Sequence, residues 1–275
     1  MSIGDIALSA SARANLAALT NTTNLLAQTQ NALATGKTVN SASDNAAAYF
    51  ASQGFLNSAN QLNTVKSSLS TALETVNSTD NSISDVTSVI NQLQGLATQA
   101  LGTTNTDTRA GLASQFNALT TQLDQLVNDA TFNGTNLLNS TGNSLVVYFD
   151  ASNATSLTIT GVNITSAGLL GSNNTATSSW STSASIQQSQ SYLLTALSTL
   201  TTDASNFGGN ATLIQTRQDF TSNLITSLTN ASNDLVQADS NVEGANLQAL
   251  QAQDQLGITS LGISGTLAQA ILRIL

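Results

Sequence analysis

Apolar residues recur every seven positions between Phe55 and Ala97, and a second apolar or small residue follows most of them by three positions. The first set comprises Phe55, Leu62, Leu69, Val76, Ile83, Ile90 and Ala97; the second set comprises Val65, Ala72, Thr79, Val86, Leu93 and Ala100. This a/d spacing is typical of a long helix that packs along its length against other helices. Since the chain has no proline, the pattern predicts one uninterrupted helix here.

A shorter helix is predicted next, starting near the Thr106-Asp107 pair and followed by an Asn133-Gly134 turn. Its two rows of seven-spaced residues are Leu112, Leu119 and Leu126, and Phe116, Leu123 and Ala130. Before the long helix, Leu19, Leu26 and Leu33 repeat at the same spacing, after Leu8 and Leu16, and Gly36 ends that N-terminal helix.

The C-terminal third repeats the seven-residue spacing over its whole length, and we predict one very long helix there. The repeating residues are Ile186, Leu193, Leu200, Phe207, Ile214, Thr221, Leu228, Leu235, Val242, Ala249, Leu256, Ile263 and Ala270. The Gly208-Gly209 pair is expected to bend or break this helix, because glycine weakens a helix interior by about 1 kcal/mol relative to alanine.

Between Gly142 and Ser183 the pattern changes to β-branched and aromatic runs, "LVVYF" and "LTITGVNI", which predict a short hairpin. The predicted fold is therefore mainly α: an elongated antiparallel coiled-coil helical rod with a small β-hairpin insert. We expect an inner terminal domain (1–42 plus 236–275), an outer rod domain (43–141 plus 184–235) and a surface insert (142–183). The single tryptophan, Trp180, is expected to pack the insert against the rod.

The rows of apolar residues at seven-residue spacing are called seams here. The rod core is assigned to the apolar residues of these seams. They are Leu62, Leu69, Val76, Ile83, Ile90, Leu93, Leu112, Phe116, Leu119, Leu193, Leu200, Ile214 and Leu228. Arg109, Arg217 and Asp219 are interpreted as ordinary surface charges, with ion pairs between subunits as the alternative.

Charged residues make up 8% of the chain, and the net charge is -9. An acidic chain with 6 Lys plus Arg lacks the clustered cations that nucleic acids and anionic membranes require, so neither is expected as a partner. Histidine and cysteine are absent, which removes the usual general base, nucleophile and zinc ligands. We therefore expect no enzyme activity, no metal and no cofactor.

The helix flanks carry Gln, Asn, Ser and Thr where a soluble coiled coil usually has Glu and Lys, as in "LQALQAQDQL". Uncharged polar faces can pack against copies of the same molecule at a lower desolvation cost than ions. Composition and periodicity thus indicate a structural subunit that polymerises through its terminal helices. The anchors are Leu8, Leu16, Leu19, Leu26, Leu33, Leu247, Leu250, Leu256, Ile263, Leu267, Ile271, Leu272 and Leu275.

Three motifs resemble bacterial flagellins, with most similarity to those of alphaproteobacteria. They are "LATGKTVNSASDNAAA" from Leu33, the segment from Leu96 to Leu138 that contains the Phe-Asn-Gly turn, and "LVQADSNVEGANLQALQAQDQLGITSLGISGTLAQAILRIL" from Leu235. The resemblance spans roughly residues 1–140 and 186–275, around a short central region.

This resemblance implies that the terminal helices pair in an inner layer of the flagellar filament used for swimming, and that the chain is secreted without a cleaved signal through the flagellar type III export channel. It further implies a homopolymer whose partners include the flagellar cap, hook-filament junction proteins and an export chaperone. A hook-filament junction protein, which shares the terminal motifs, and a secreted coiled-coil adhesin are the alternatives.

One departure from the family concerns an epitope that a Toll-like receptor recognises in many flagellins. The Arg-Glu pair of that epitope aligns with Gln94 and Gly95, and another of its acidic positions aligns near Gln115. The resemblance therefore implies weak or absent sensing by that receptor.

Overall fold

The computed structural model describes residues 10–274, apart from the side chains of Ser11, Ser178, Leu267, Ala268 and residues 271–274. Its helices are α1 (Ala10–Thr35), α2 (Ala46–Leu101), α3 (Thr106–Asp129), α4 (Ser166–Leu170), α5 (Ser183–Val236) and α6 (Ser240–Ile274). Between α3 and α4 lie the strands β1 (Ser144–Tyr148) and β2 (Ser156–Thr160). Two short 3₁₀ helices, Gly171–Asn173 and Thr177–Trp180, lead from α4 to α5. The predicted mainly α fold with a small β-hairpin is confirmed.

Two features expected in the C-terminal third are absent from the described residues: one very long helix, and a break at Gly208-Gly209. The very long helix divides at residues 237–239 into α5 and α6, although the heptad spacing runs through this point. The backbone leaves the helix because Ala238 N donates to the Gly36 carbonyl at 2.9 Å, and Asp239 Oδ1 then caps α6 by accepting from Asn241 N at 2.9 Å. In contrast, Gly208-Gly209 does not break α5, because buried Phe207 and Ile214 hold the helix on either side.

The chain forms two compact units. The first, called here the terminal unit, comprises the residues up to Ser58 and those from Ser227 onward. The second, called the bundle unit, runs from Ala59 to Thr226. The helices α2 and α5 contribute to both units.

In the bundle unit, α2, α3 and α5 pack their apolar seams together. Antiparallel α2 and α5 are held in register by Gln190 Nε2, which donates to Thr98 Oγ1 at 3.1 Å, and by Gln218 Nε2, which donates to Ser70 Oγ at 2.9 Å. The predicted core residues that are fully buried are Leu69, Val76, Ile83, Ile90, Leu93, Phe116, Leu193, Leu200 and Ile214. Leu62, Leu112 and Leu119 are half-buried, and so is Leu228, which belongs to the terminal unit.

The segment that follows the hairpin is fixed onto α3 of the bundle unit. Trp180 is fully buried; its ring meets Phe116 edge-to-face at 5.0 Å, and its Nε1 donates to Ser189 Oγ at 3.1 Å. Ser166 N donates to Asp124 Oδ1 at 2.6 Å, at the start of α4. Burying the indole with its N–H bonded avoids the cost of an unpaired donor.

Candidate polymerisation surface

The two terminal helices α1 and α6 lie antiparallel in the terminal unit. Asn15 Nδ2 of α1 donates to Ser260 Oγ of α6 at 3.0 Å. Further along the pair, a Cβ atom built on Gly257 would lie 3.0 Å from Leu19 Cδ1. The small residues of the C-terminal seam thus allow α6 to approach the leucines of α1 closely.

A short antiparallel bridge fixes the register of this pair where α1 ends. Gly36 takes a φ of 69°, in the left-handed region that ends helices, and turns the chain toward α6. Thr38 N donates to the Val236 carbonyl at 2.8 Å, and Lys37 pairs with Gln237. Val236 is buried beside this bridge. Backbone hydrogen bonds, rather than side chains alone, therefore set which residues of α1 and α6 face each other.

The turn between α1 and α2 is organised around Asp44. The N–H groups of Asn40 and Ser41 donate to its Oδ2 at 2.9 and 2.8 Å, together with the Ser41 hydroxyl at 3.1 Å. The bonds from Asn40 and then Ser41 hold the pKa of Asp44 below its usual range. Asn45 Oδ1 accepts from Ala48 N at 3.1 Å and caps α2. The "NSASDN" motif thus builds a rigid entry into the long helix.

A buried serine pair connects α2 with α5 inside the terminal unit. The hydroxyls of Ser52 and Ser232 lie 2.8 Å apart, and Ser232 Oγ also donates to the Ser52 carbonyl at 3.2 Å. Both residues are almost fully buried, at 2% and 1% exposure. Their small size lets the two helices approach closely while each hydroxyl keeps a partner.

The apolar residues of α1 and α6 are left largely uncovered. Among the described side chains of α1, the fully buried ones are Ala12, Thr29 and Ala32, and none of them is a leucine. No described side chain of α6 is fully buried. Exposed large apolar residues on the two helices are Leu16, Leu25, Val242, Leu256, Ile258 and Ile263. Two helices alone cannot cover their own apolar stripes, so this pair has an incomplete core.

The predicted polymerisation anchors occupy this incomplete core. Leu16, Leu256 and Ile263 are exposed, with Leu256 at 69%. Leu19, Leu26, Leu33, Leu247 and Leu250 are half-buried. Leu8 and Leu275, and the side chains of Leu267, Ile271 and Leu272, lie outside the described residues.

The positions aligned with the receptor epitope lie in the bundle unit. Gly95 and Gln115 are exposed and Gln94 is half-buried. Gly95 and Gln115 line one shallow groove between α2 and α3, together with Gln92, Gln99 and Gln122. The groove carries amide groups and no charge.

Arg109, expected to be a surface charge, is instead buried, with 6% of its surface exposed. Its Nε donates to the carbonyls of Ala100 at 3.1 Å and Thr103 at 2.8 Å, and its Nη2 donates to Ser183 Oγ at 3.0 Å. The guanidinium therefore satisfies carbonyls at the C-terminal end of α2, where the helix dipole favours a positive charge. Arg217 instead lies over the Phe149 ring, 4.7 Å from its centroid.

The described residues hold no group of three or more acidic side chains placed to bind a metal ion. None of the helices, as far as the structure describes them, has the length and hydropathy needed to cross a membrane.

Comparison with known proteins identifies the family. A family model for the bacterial flagellin N-terminal helical region matches residues 6–143. The chain belongs to the bacterial flagellin family. Flagellin FljM of Caulobacter vibrioides is 30% identical over 99% of this chain and 98% of its own length. A flagellin of Brucella melitensis is 28% identical over 98% of both chains.

Among solved structures, the crystal structure of Bacillus cereus flagellin is similar at 17% identity, with a TM-score of 0.47 over 55% of this chain and 86% of that chain. The full-length relatives and the family model show that this chain is a structural subunit of the bacterial flagellar filament. The family is structural rather than enzymatic and assembles into filaments. The junction-protein and adhesin alternatives are not favoured.

Proposed function

We propose that this flagellin polymerises through α1 and α6, whose exposed apolar residues are covered by the same helices of neighbouring copies. The observation that carries the proposal is the uncovered apolar surface of the pair, above all Leu256 and Ile263 at 69% and 58% exposure. Fully burying one such side chain stabilises an assembly by about 1.5–3 kcal/mol. The antiparallel bridge at Gly36 supplies a fixed register, so the pair can present one defined surface to each neighbour.

The proposed binding partners and the proposed route of secretion are those that the family resemblance implies. The proposed subunit leaves the cell unfolded through the flagellar export channel, with an export chaperone before secretion, and adds to the filament beneath the cap after the hook-filament junction proteins. It has no catalytic activity of its own. The division into an inner terminal domain (1–42 plus 236–275), a rod (43–141 plus 184–235) and an insert (142–183) remains part of this proposal.

The test is a pair of substitutions, Leu256→Asp with Ile263→Asp, in the full chain. Assembly is measured by sedimentation of the polymer as a function of protein concentration. The two substitutions place carboxylates in the surface that assembly is proposed to bury. We expect them to raise the critical concentration for assembly by about 100-fold or more, since about 1.4 kcal/mol corresponds to a factor of ten. Helix content and unfolding of the monomer show whether the variant still folds.

The matched control is Leu194→Asp, which replaces a leucine with 56% exposure on α5 of the bundle unit. This variant is expected to assemble at nearly the unmodified concentration. Equal assembly by the α6 double variant and the unmodified chain would contradict polymerisation through α6.

A further inference from the structure

The segment between α4 and α5, residues 171–182, is called here the strap, and both of its ends are anchored in the bundle unit. Before its start, Ser166 of α4 donates to Asp124 of α3 from its N–H at 2.6 Å and from its hydroxyl at 2.7 Å. At its end, Thr182 Oγ1 caps α5 by accepting from Ser185 N at 3.2 Å. The strap is therefore a short connection whose two ends are held independently of its middle.

The middle of the strap has few buried groups. Among its described side chains, Ala176 and Trp180 are the buried ones, at 8% and 0% exposure. Ala176 N donates to Asn117 Oδ1 of α3 at 2.7 Å, and the indole packs against Phe116. Segments with few buried apolar contacts open locally at a lower free energy than packed helices. Closure of the strap thus depends mainly on one side chain, that of Trp180.

The backbone that carries this tryptophan is strained. Ser179 and Trp180 have φ angles of 48° and 55°, in the left-handed region. Two consecutive residues there are unfavourable because each Cβ atom approaches the following carbonyl oxygen, and a bulky residue such as tryptophan rarely has a positive φ. Such strain persists only where the surrounding packing holds it, so it is released when the segment opens.

The buried indole holds the strained backbone in place. Its N–H donates to Ser189 Oγ of α5 at 3.1 Å. The strain of two left-handed residues is of the same order as the gain from burying one large side chain, so the closed strap is only slightly favoured over the open one. The helices beneath it are packed differently, since Phe116, Leu123 and Leu193 belong to one continuous buried core.

We propose that the strap opens and closes as a unit while α2, α3 and α5 stay packed, with Trp180 as its latch. Opening exposes the indole and one face of the Phe116 ring, and it relaxes the backbone of Ser179 and Trp180. This conformational switch is a property of the single chain, so its failure and the failure of the proposed polymerisation are distinguishable.

Unfolding of the full-length monomer in urea tests the switch, at a protein concentration below that at which the chain assembles. Trp180 is the only tryptophan of the chain, so quenching of its fluorescence by acrylamide reports the strap, while circular dichroism reports the helices. Exposure of the tryptophan is expected at a lower urea concentration than the loss of helix. Coincident transitions would overturn the proposal, because they would show that the strap and the helices open together.

Substitutions at Ser179 test the strain. Glycine adopts a positive φ without penalty, whereas alanine keeps the Cβ atom, so Ser179→Gly relieves the strain and Ser179→Ala retains it. Part of this gain is offset, because glycine also has more conformational freedom in the open strap. We expect the equilibrium constant for opening to be about threefold lower in Ser179→Gly than in Ser179→Ala. An equal or higher constant in the glycine variant would overturn the strained latch.

Ser189→Ala tests the latch, since it leaves the buried indole N–H without its acceptor. The equilibrium constant for opening is expected to rise at least about fivefold, while the urea concentration that unfolds the helices stays the same. Ser191→Ala is the matched control, because it makes the same change at an exposed position of α5 and is expected to leave opening unchanged. Unchanged opening in Ser189→Ala, or a shift of the helix transition in place of the tryptophan transition, would overturn the proposal.

Discussion

Leu19 of α1 and Gly257 of α6 meet where a side chain larger than hydrogen has no free room: a Cβ atom on Gly257 would lie 3.0 Å from Leu19 Cδ1. A Cβ atom built on Gly262, five residues further along α6, would have no neighbouring atom within 4 Å. The two glycines therefore differ in their packing while sharing the same helical backbone.

We expect Gly262→Ala to stabilise α6 by about 1 kcal/mol, the difference in helix propensity between the two residues. Gly257→Ala gains the same propensity but forces the Leu19 side chain away from its rotamer, which costs about 0.5–1.5 kcal/mol, so its net effect is expected near zero. Amide hydrogen exchange of α6 in the monomer measures both. Equal stabilisation by the two variants would contradict the close α1–α6 contact.

The buried side chain of Arg109 is expected to stabilise the bundle unit. Arg109→Met removes the side-chain hydrogen bonds to Ala100 and Thr103, and hydrogen bonds to charged groups contribute about 1.5–3 kcal/mol. We expect the free energy of unfolding in urea to fall by about that amount. Arg217→Met is the control, because an exposed cation–π contact contributes about 0.5–1 kcal/mol. Similar losses in the two variants would mean that the buried guanidinium does not hold the end of α2.

The helical seams were predictable because the seven-residue period depends only on local sequence and selects a helix face. Leu69, Ile83, Phe116 and Leu193 were assigned to the core on this basis, and the structure buries them. Arg109 could not be assigned in the same way. Its burial depends on Ala100 and on Ser183, which is 74 residues away in the chain, and a charged residue alone predicts a solvated surface.

The break between α5 and α6 was missed for a related reason. The heptad period continues through residues 237–239, and neither glycine nor proline occurs there. The bridge that opens the helix pairs Gln237 with Lys37, a contact between distant parts of the sequence. The available local signal was Asp239, which is a favourable N-cap residue and caps α6 in the structure.

The contribution of the hairpin turn to the free energy of unfolding is expected to depend on pH. The pKa of Asp150 is lowered chiefly by the Ser152 hydroxyl, then by the Thr155 hydroxyl and the Ala154 N–H. A carboxyl with a lowered folded-state pKa stabilises the fold fully above its unfolded-state pKa of about 3.9 and loses that contribution as the pH falls below it. Asp150→Asn is therefore expected to be less stable than the unmodified chain at neutral pH, with the difference shrinking below about pH 4.

Urea unfolding of both chains at several pH values measures this difference. Asp219→Asn serves as the control, because Asp219 accepts one exposed hydrogen bond from Gln215. A difference that stayed constant into strong acid would show that the turn does not depend on the ionised carboxylate.

The uncharged groove at Gly95 and Gln115 bears on recognition by the Toll-like receptor. The family resemblance aligns the Arg-Glu pair of many flagellins with Gln94 and Gly95, so we expect the charged contacts of that epitope to be lost. We expect a weak response in reporter cells, and a stronger response from the Gln94→Arg, Gly95→Glu double variant. A response to the unmodified chain as strong as that to an enteric flagellin would refute this expectation.

The central claim is that neighbouring copies cover the apolar surface of α1 and α6. Amide hydrogen exchange compared between monomer and filament tests it most directly. Helices with an incomplete core open readily, whereas helices buried among neighbours open rarely. We predict that the amides of α6 between Ser240 and Thr266 exchange much more slowly in the filament, while the buried seam of α2 changes little. Unchanged exchange of α6 after assembly would contradict the account.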